Sequence, residues 1–218
     1  MTAVANSGFE NTLALLRQFT PRRSSVERCE MCSGELPAEH DHLVEPAQHK
    51  LMCACTACAI LFDGQVNPKY KRVPRVVQFL QDFEMSEGQW ETLRIPIEMA
   101  FFLLSSPQGR MIALYPSPAG AIESLLPLDT WEEISLANPA LNKMKADVEA
   151  LLVNRVGSNR GSQAEYYLVP IDECYKLVGL IRTHWRGLSG GTDVWREIRT
   201  FCGELKGKSG IKSETTHG

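Results

Sequence analysis

Two pairs of cysteines have a spacing suited to metal binding. Cys29 and Cys32 form one Cys-x-x-Cys pair, and Cys55 and Cys58 form a second pair further along the chain. Two thiolates at this spacing reach one metal ion, and two such pairs supply the four sulfur ligands of a structural zinc site. Such a shell leaves no position for water, so the site holds structure and does not hydrolyse a substrate. We therefore predict that Zn²⁺ binds Cys29, Cys32, Cys55 and Cys58.

The sequence between the pairs predicts a tight β-hairpin. The stretches "HLVE" (42–45) and "HKLM" (49–52) flank the turn sequence "PAQ". Gly34 follows the first pair and is expected to adopt a positive φ, so that amide N–H groups point at the sulfurs. A knuckle, a hairpin and a second knuckle at a helix start is the order of a zinc ribbon or treble clef. We expect this module to span residues 26–66.

The identity of the fourth ligand and of the metal stays open at this point. Cys53 shares a strand face with Cys55, so it could replace Cys55 as a ligand or pack beside the site. His42 is a further possible ligand. A mononuclear iron bound as in rubredoxin is the main alternative to zinc, although the second pair lacks the glycine that follows the first. An iron–sulfur cluster is the remaining alternative.

The two other cysteines are interpreted as core residues. Cys202 lies on a predicted amphipathic helix, and Cys174 lies near the start of another. Small thiol side chains of this kind are usually buried. His184 is almost three turns away from Cys174 on the same predicted helix, so it cannot readily act as a base for a catalytic thiol.

Composition and hydropathy predict a globular protein that does not insert into a membrane. The chain has 218 residues, of which 44% are hydrophobic and 22% are charged, and its formal net charge is -3. This charge argues against general binding to nucleic acid or to anionic membranes. The start of the sequence lacks the features of a secretory signal, and the longest apolar run is too short to cross a bilayer. We expect a cytoplasmic protein without membrane insertion, in which closely spaced cysteines bind metal and do not form disulfides.

Four regions follow from the pattern of apolar residues and breakers. We expect an N-terminal helix and loop over residues 1–25, the cysteine module over 26–66, an α+β domain over 76–206, and a disordered tail over 207–218. A basic connector bounded by prolines, "NPKYKRVPR" (67–75), separates the module from the domain. The domain is expected to hold a mixed or antiparallel sheet backed by C-terminal helices.

Apolar periodicity places the elements of this domain. Helices are expected near residues 75–85, after Ser86 in a capping box with Gln89, from Asp129, from Asp172 as an N-cap, and over 192–205. Five strands are expected within residues 95–106, 109–118, 121–128, 146–156 and 164–171. Gly190 and Gly191 between the last two helices are interpreted as closing one helix so that the next packs against it.

The basic connector is the one stretch that could contact nucleic acid. Lys69, Lys71, Arg72 and Arg75 follow the cysteine module and flank Tyr70. Residues 1–75 nevertheless carry nine Lys and Arg against eight Asp and Glu, a balance of 9 − 8 = +1. This balance is too small for a phosphate-binding surface, so we interpret the stretch as a solvated linker.

The sequence also lacks the common catalytic motifs. It has no phosphate-binding loop, no dinucleotide-binding glycine pattern, no nucleophile elbow and no His-Glu-x-x-His zinc motif. Whether the chain is an enzyme is left open, and the sequence favours a protein without catalytic activity.

Several segments together resemble a known group of bacterial proteins. They are "CEMCSGELPAEHDHLVEP", "LMCACTACAILF", "YKRVP", "DVEALLVNR" and "YYLVPIDECYKLVGLIRTHWRGLSGGTDVW". Together they are similar to an uncharacterised family often encoded beside high-affinity, actinobacterial-type uptake NiFe-hydrogenases, over about residues 28–205. The family's cysteine motif maps onto Cys29, Cys32, Cys53, Cys55 and Cys58. The resemblance implies a hydrogenase accessory protein and carries over no catalytic residue.

The leading hypothesis is therefore a zinc-stabilised, non-enzymatic adaptor. Its expected partner is a hydrogenase subunit or another hydrogenase accessory protein, in assembly, maturation or electron coupling. A rubredoxin-like iron redox carrier is the first alternative, and a nucleic-acid-binding regulator built on a zinc ribbon is the second.

Overall fold

A computed structural model describes residues 26–63, 68–124, 130–156, 163–187 and 189–210. The predicted N-terminal helix, the Asp129 cap and the tail beyond residue 210 lie outside the described residues.

The smaller of two sheets is built on the predicted hairpin. Strands β1 (Asp41–Glu45) and β2 (Lys50–Ala54) pair antiparallel and are joined by a 3₁₀ helix, Pro46–Gln48. Helix α1 (Thr56–Leu61) follows β2 after one residue. A short strand, β3 (Lys71–Arg72), pairs with the other side of β1, which gives the strand order β2-β1-β3. Two residues of the basic connector therefore belong to this sheet.

The larger sheet has six antiparallel strands in the order β4-β9-β8-β5-β6-β7. Its central strands consist almost wholly of buried apolar residues, as expected for strands covered on both faces. The strands are β4 (Gln78–Phe79), β5 (Met99–Ser105), β6 (Arg110–Ser117), β7 (Gly120–Glu123), β8 (Glu149–Asn154) and β9 (Glu165–Pro170).

Helices cover both faces of this sheet. On one side lie α2 (Glu87–Leu93), α3 (Thr130–Ala137) and the 3₁₀ helix Pro139–Lys143. On the other lie α4 (Ile171–His184) and α5 (Gly191–Lys208). The predicted capping box of α2 is confirmed, because the Ser86 hydroxyl accepts from the Gln89 N–H while the Gln89 side chain accepts from the Ser86 N–H.

Strand alternation divides the core into two layers. Phe101 and Leu103 of β5 face α4 and α5, whereas Phe102 faces the layer of α2 and α3, where it stacks on Trp131. Successive side chains of a strand point to opposite faces, so every central strand contributes to both layers. The predicted buried residues of α5 are confirmed, since Val194, Ile198, Phe201 and Leu205 are all at most 3% exposed.

The α+β class, the antiparallel sheet and the two C-terminal helices are confirmed by this arrangement. None of the helices described is both long enough and apolar enough to span a lipid bilayer.

The helix predicted near residues 75–85 is wrong. Gln78 and Phe79 form β4 instead and pair with Leu168 and Tyr167 at the edge of the large sheet. Phe79 also makes an edge-to-face contact with Tyr167. The helical spacing of apolar residues in this stretch was outweighed by pairing with β9 and by these aromatic contacts. The domain sheet accordingly has six strands and not five.

The predicted N-cap at Asp172 is also wrong. Helix α4 begins at Ile171, and its N-cap is Pro170, which makes no side-chain capping bond. Asp172 lies one residue inside the helix and accepts a hydrogen bond from His42 of β1. A carboxylate in the first turn is still favourable beside the positive end of the helix dipole.

Gly190 and Gly191 do not close α4, whose C-cap is Trp185, but they begin α5 and allow it to pack against the end of α4. Gly190 is the N-cap of α5 with a φ of 86°, and Gly191 has a φ of 75°. A Cβ on Gly190 would stand 2.9 Å from Val194 and 3.1 Å from Trp185. Glycine is therefore required here both for the left-handed backbone and for close packing.

A buried aspartate ties the small sheet to the large one. Asp147, which is 3% exposed, accepts hydrogen bonds from the backbone N–H and hydroxyl of Ser106 at 2.8 and 2.5 Å. It also accepts a hydrogen bond from the Lys71 ammonium of β3 at 2.5 Å. Its φ of 70° lies in the left-handed region, which Asp and Asn tolerate better than other residues with a Cβ.

Asp147→Ala is expected to lower the free energy of unfolding by about 2–4 kcal/mol. The substitution leaves the Ser106 N–H and the Lys71 ammonium without an acceptor and strains the left-handed backbone. Asp147→Asn is the matched control, because asparagine keeps the backbone conformation and one acceptor oxygen, and its loss should be less than half as large. Urea unfolding of the two variants measures the difference. Equal losses of unfolding free energy in the two variants would contradict the role of Asp147 as a hydrogen-bond acceptor in a left-handed backbone conformation.

Candidate metal centre

The four predicted cysteines lie together. The Sγ atoms of Cys29, Cys32, Cys55 and Cys58 are all within 4.8 Å of one another. The Sγ atoms of Cys32 and Cys55 are 3.8 Å apart. In a tetrahedral site with metal–sulfur bonds of about 2.3 Å, neighbouring sulfurs stand about 3.8 Å apart. The cluster therefore has the size and the donor set to hold one metal ion.

The first pair sits in a tight turn. The Ser33 N–H donates to the Cys29 carbonyl, and the Cys29 N–H donates to the Gly34 carbonyl, both at 2.8 Å. The positive φ expected at Gly34 is found one residue earlier, at Ser33, with a value of 61°. Gly34 lies close to the Cys32 sulfur instead: a Cβ there would stand 3.4 Å from it, at the near limit of ordinary contact. The absence of a side chain lets the backbone approach that sulfur.

The second pair sits at the start of α1. Cys55 is the N-cap of the helix, and its sulfur accepts a hydrogen bond from the Cys58 N–H at 3.5 Å. The first turn of a helix presents free N–H groups and the positive end of the helix dipole, which favour a thiolate. The Glu30 N–H donates to the Cys53 carbonyl at 2.9 Å and so joins the first turn to β2.

Cys29, Cys32 and Cys58 differ in acidity. Burial raises the pKa of Cys29, but hydrogen bonds from the backbone N–H groups of Cys55, Cys32 and Met31 outweigh it and lower the pKa to about 6. The interaction with the Cys55 sulfur, together with burial, raises the pKa of Cys58 to about 12. The Gly34 N–H favours ionisation of Cys32, yet the sulfurs of Cys29 and Cys55 raise its pKa. The neighbouring sulfurs thus oppose ionisation of Cys32 and Cys58, and a divalent cation among them removes that penalty.

The core beneath the cluster is small. Its buried members are Cys29, Leu36, Leu43, Met52, Ala54 and Ala59. A core of this size contributes little to the stability of a unit of about 40 residues, which usually needs a metal or a disulfide in addition. All seven cysteines are free, so no disulfide supplies that support.

Cys53 and His42, left open as alternative ligands, are brought together by the structure in a different group. They are directly opposite each other on β2 and β1, and with His40 they form a second group of metal-ligating side chains. The sequence reasoning missed His40. The signal was present, because His40 and His42 stand two residues apart next to a strand, a spacing that places both side chains on one face.

The basic connector is neutralised within the chain. Lys69 pairs with Glu45 and Lys71 pairs with Asp147. Burial tends to raise the pKa of Asp41, but hydrogen bonds from Arg72 and Thr56 and the nearby Arg75 guanidinium hold that pKa below its usual value. Side chains engaged in this way offer little free positive charge to a phosphate backbone, which argues against a nucleic-acid surface here.

The remaining two cysteines are buried, as predicted. Cys174 is fully buried, and burial raises its pKa well above the usual value. Cys202 is 5% exposed, and burial raises its pKa to about 12. Neither is a reactive thiolate at neutral pH.

The described structure thus defines an α+β protein whose N-terminal part gathers four cysteines from a tight turn and from the start of a helix, which a β-hairpin connects. The chain belongs to the family of unknown function DUF5947, which it matches over residues 28–209. The match spans the cysteine cluster, both sheets and all of α5. No curated protein and no solved structure matches the chain.

Cys55→Ser is expected to lower the affinity of the cysteine cluster for Co²⁺ by more than about 100-fold, because it removes a direct ligand. The measurement is titration of metal-free protein with Co²⁺, followed by the thiolate-to-cobalt charge-transfer absorption. Cys202→Ser is the matched control, since that thiol lies in the other core and should leave the titration unchanged. A full tetrathiolate spectrum in the Cys55 variant would contradict the ligand assignment.

Proposed function

We propose that the protein is a zinc-binding adaptor that acts without catalysis as an accessory protein of an uptake NiFe-hydrogenase. The observation that carries the metal part is the group of four sulfurs at tetrahedral spacing. Four thiolates close the coordination shell, so the ion fixes the fold of its module and leaves no site for substrate. On this proposal the module is a treble-clef-like zinc fold, and the protein works in the cytoplasm.

Zinc is favoured over iron by the local sequence. The first pair is followed by Gly34, whose N–H favours ionisation of Cys32, whereas Ala59 and Ile60 follow the second pair. Iron sites of the rubredoxin type rely on glycine after both pairs to admit N–H groups to the sulfurs. Zinc has no redox chemistry and requires no such tuning.

Association with a hydrogenase is supported by the resemblance of the cysteine and C-terminal segments to proteins encoded beside such enzymes. An adaptor also needs surfaces that hold partners. Ile60 and Leu61 on α1 are 58% and 66% exposed, so the helix that carries Cys58 presents apolar side chains to solvent. Exposed apolar side chains on a metal-stabilised helix suit recognition of another protein.

A second surface lies at the junction of α4 and α5. An apolar cavity of about 210 Å³ opens there, lined among others by Trp185, Trp195 and Tyr115. The two tryptophans meet edge to face with ring centroids 6.2 Å apart. Aromatic pockets of this kind receive apolar side chains at protein interfaces. The proposed adaptor would thus contact partners through the metal module and through this pocket.

Protein purified without chelator is expected to be colourless and to contain zinc, with no iron above trace level. Elemental analysis by plasma mass spectrometry and a visible spectrum test this directly, and the Cys55→Ser variant is the control for specific binding. A red protein that contains thiolate-bound iron and gives a reversible redox wave would contradict the adaptor hypothesis and favour the rubredoxin-like electron carrier.

Affinity capture from cells that express the hydrogenase is expected to recover a hydrogenase subunit or another hydrogenase accessory protein. Ile60→Glu should lower the recovery at least about tenfold, since a buried charge in an apolar contact costs well over 1 kcal/mol. Leu136→Glu is the matched control, because Leu136 is 84% exposed and lies on α3, which packs against the large sheet. Recovery of neither kind of partner by the unaltered protein would end the adaptor hypothesis.

A further inference from the structure

Three side chains other than the four cysteines meet on one face of the hairpin. His42 on β1 lies directly opposite Cys53 on β2. His40 precedes β1 and stands two residues from His42, so it shares the same face. The opposite face of the hairpin carries Leu43 and Met52, which pack under the cysteine cluster. The strand register therefore places His42 and Cys53 on the other face of the hairpin from Leu43 and Met52, although Cys53 also packs at the edge of the core beneath the four-sulfur site.

The group has the dimensions of a metal site. One ring nitrogen of each histidine and the Cys53 sulfur lie within 4.8 Å of one another. The two imidazole rings meet edge to face with centroids 4.8 Å apart. Two imidazoles and one thiolate are ligands that zinc accepts, as in catalytic sites that combine cysteine and histidine.

Both histidines have one ring nitrogen already engaged. The His42 Nδ1–H donates to Asp172 Oδ2 at 2.8 Å. The His40 Nδ1–H donates to the Pro37 carbonyl at 3.0 Å. A metal-bound histidine typically donates its other N–H to a carboxylate or a carbonyl, which fixes the tautomer and aims the free nitrogen at the ion. Both rings are held in this way, which leaves Nε2 as the ligand atom of each.

The free nitrogen of His40 is buried without a partner. The His40 side chain is 6% exposed, and its Nε2 atom has no hydrogen-bond partner. A buried acceptor left unsatisfied costs about 1–3 kcal/mol, so such atoms are rare and need an explanation. A metal ion at this position would satisfy the atom. This observation is independent of the geometry of the three ligands.

We propose that His40 Nε2, His42 Nε2 and Cys53 Sγ bind a second zinc ion, distinct from the one held by four cysteines. The three ligands leave a fourth position, which water occupies. The Cys53 thiolate and the Asp172 carboxylate supply two negative charges to Zn²⁺. The carboxylates of Glu27 and Glu30 also lie close to His40 and Cys53, so the surroundings of the site are acidic and favour a cation. Asp172 belongs to α4 and acts as a positioning residue for His42.

This second site would link the two sheets. His42 and Cys53 come from the small sheet, whereas Asp172 comes from the first turn of the helix that covers the large sheet. An ion at this place therefore holds the hairpin in a fixed position against α4. The proposal does not depend on an association with hydrogenase.

The test is the number of zinc ions bound at saturating Zn²⁺, measured on the full chain by native mass spectrometry. We expect two ions on the unaltered protein and one on the Cys53→Ser and His40→Ala variants. Cys202→Ser and His184→Ala are the matched controls and should keep two ions. A single ion on the unaltered protein, or two ions on both the Cys53 and His40 variants, would overturn the proposal.

Cadmium NMR of the cadmium-loaded protein identifies which ion is lost. We expect a tetrathiolate signal and a second signal of a site with one sulfur and two nitrogens, with only the second absent in Cys53→Ser. Asp172→Asn should retain both signals while weakening affinity for the second ion about 10- to 100-fold. Loss of the tetrathiolate signal in Cys53→Ser, or an unchanged affinity in Asp172→Asn, would contradict the assignment.

Discussion

The closeness of four sulfur atoms is the constraint on which the N-terminal part of the protein depends. Cys32 and Cys55 hold their sulfurs 3.8 Å apart, a separation at which two thiolates repel each other strongly without a cation between them. The interaction with the Cys55 sulfur, together with burial, also raises the pKa of Cys58 to about 12. Three segments meet at the four sulfurs: the turn at Cys29, the end of β2 and the start of α1. A metal ion bound there therefore fixes the positions of these segments relative to one another.

The hairpin connects the cysteine cluster to the rest of the molecule. One of its faces, with Leu43 and Met52, closes the small core beneath the cysteines. Its other face presents His42 to Asp172 and Val44 to the main core. Because strand side chains alternate, one two-stranded element serves both the metal centre and the large sheet. The link between Lys71 and Asp147 adds a polar tie on the far side of β1.

Much of this was accessible from the sequence because its signals are local. The Cys-x-x-Cys spacing, the hairpin around "PAQ", the capping box at Ser86 and the apolar face of α5 all depend on residues within a few positions of one another. These are the features that short-range geometry decides. Strands β8 and β9 were expected from two apolar runs, whereas their antiparallel pairing is seen only in the structure.

The features that sequence reasoning missed depend on distant partners. Residues 75–85 have a helical pattern, but β9 recruits Gln78 and Phe79 as an edge strand. Asp172 has the sequence context of an N-cap, but its carboxylate accepts a hydrogen bond from His42, which is far away in the chain. The left-handed residue after the first pair is Ser33 and not Gly34, a difference that residue type alone does not predict.

Hydrogen exchange of the chain with and without a chelator tests the central claim most directly. If metal binding by the cysteines supports the N-terminal module, the amides between Cys29 and Leu61 lose protection when the metal is removed. Those of β8 and β9 should keep their protection, because their core is large and lies elsewhere. Unchanged protection of the Cys29–Leu61 amides in protein shown to be free of metal would contradict the account.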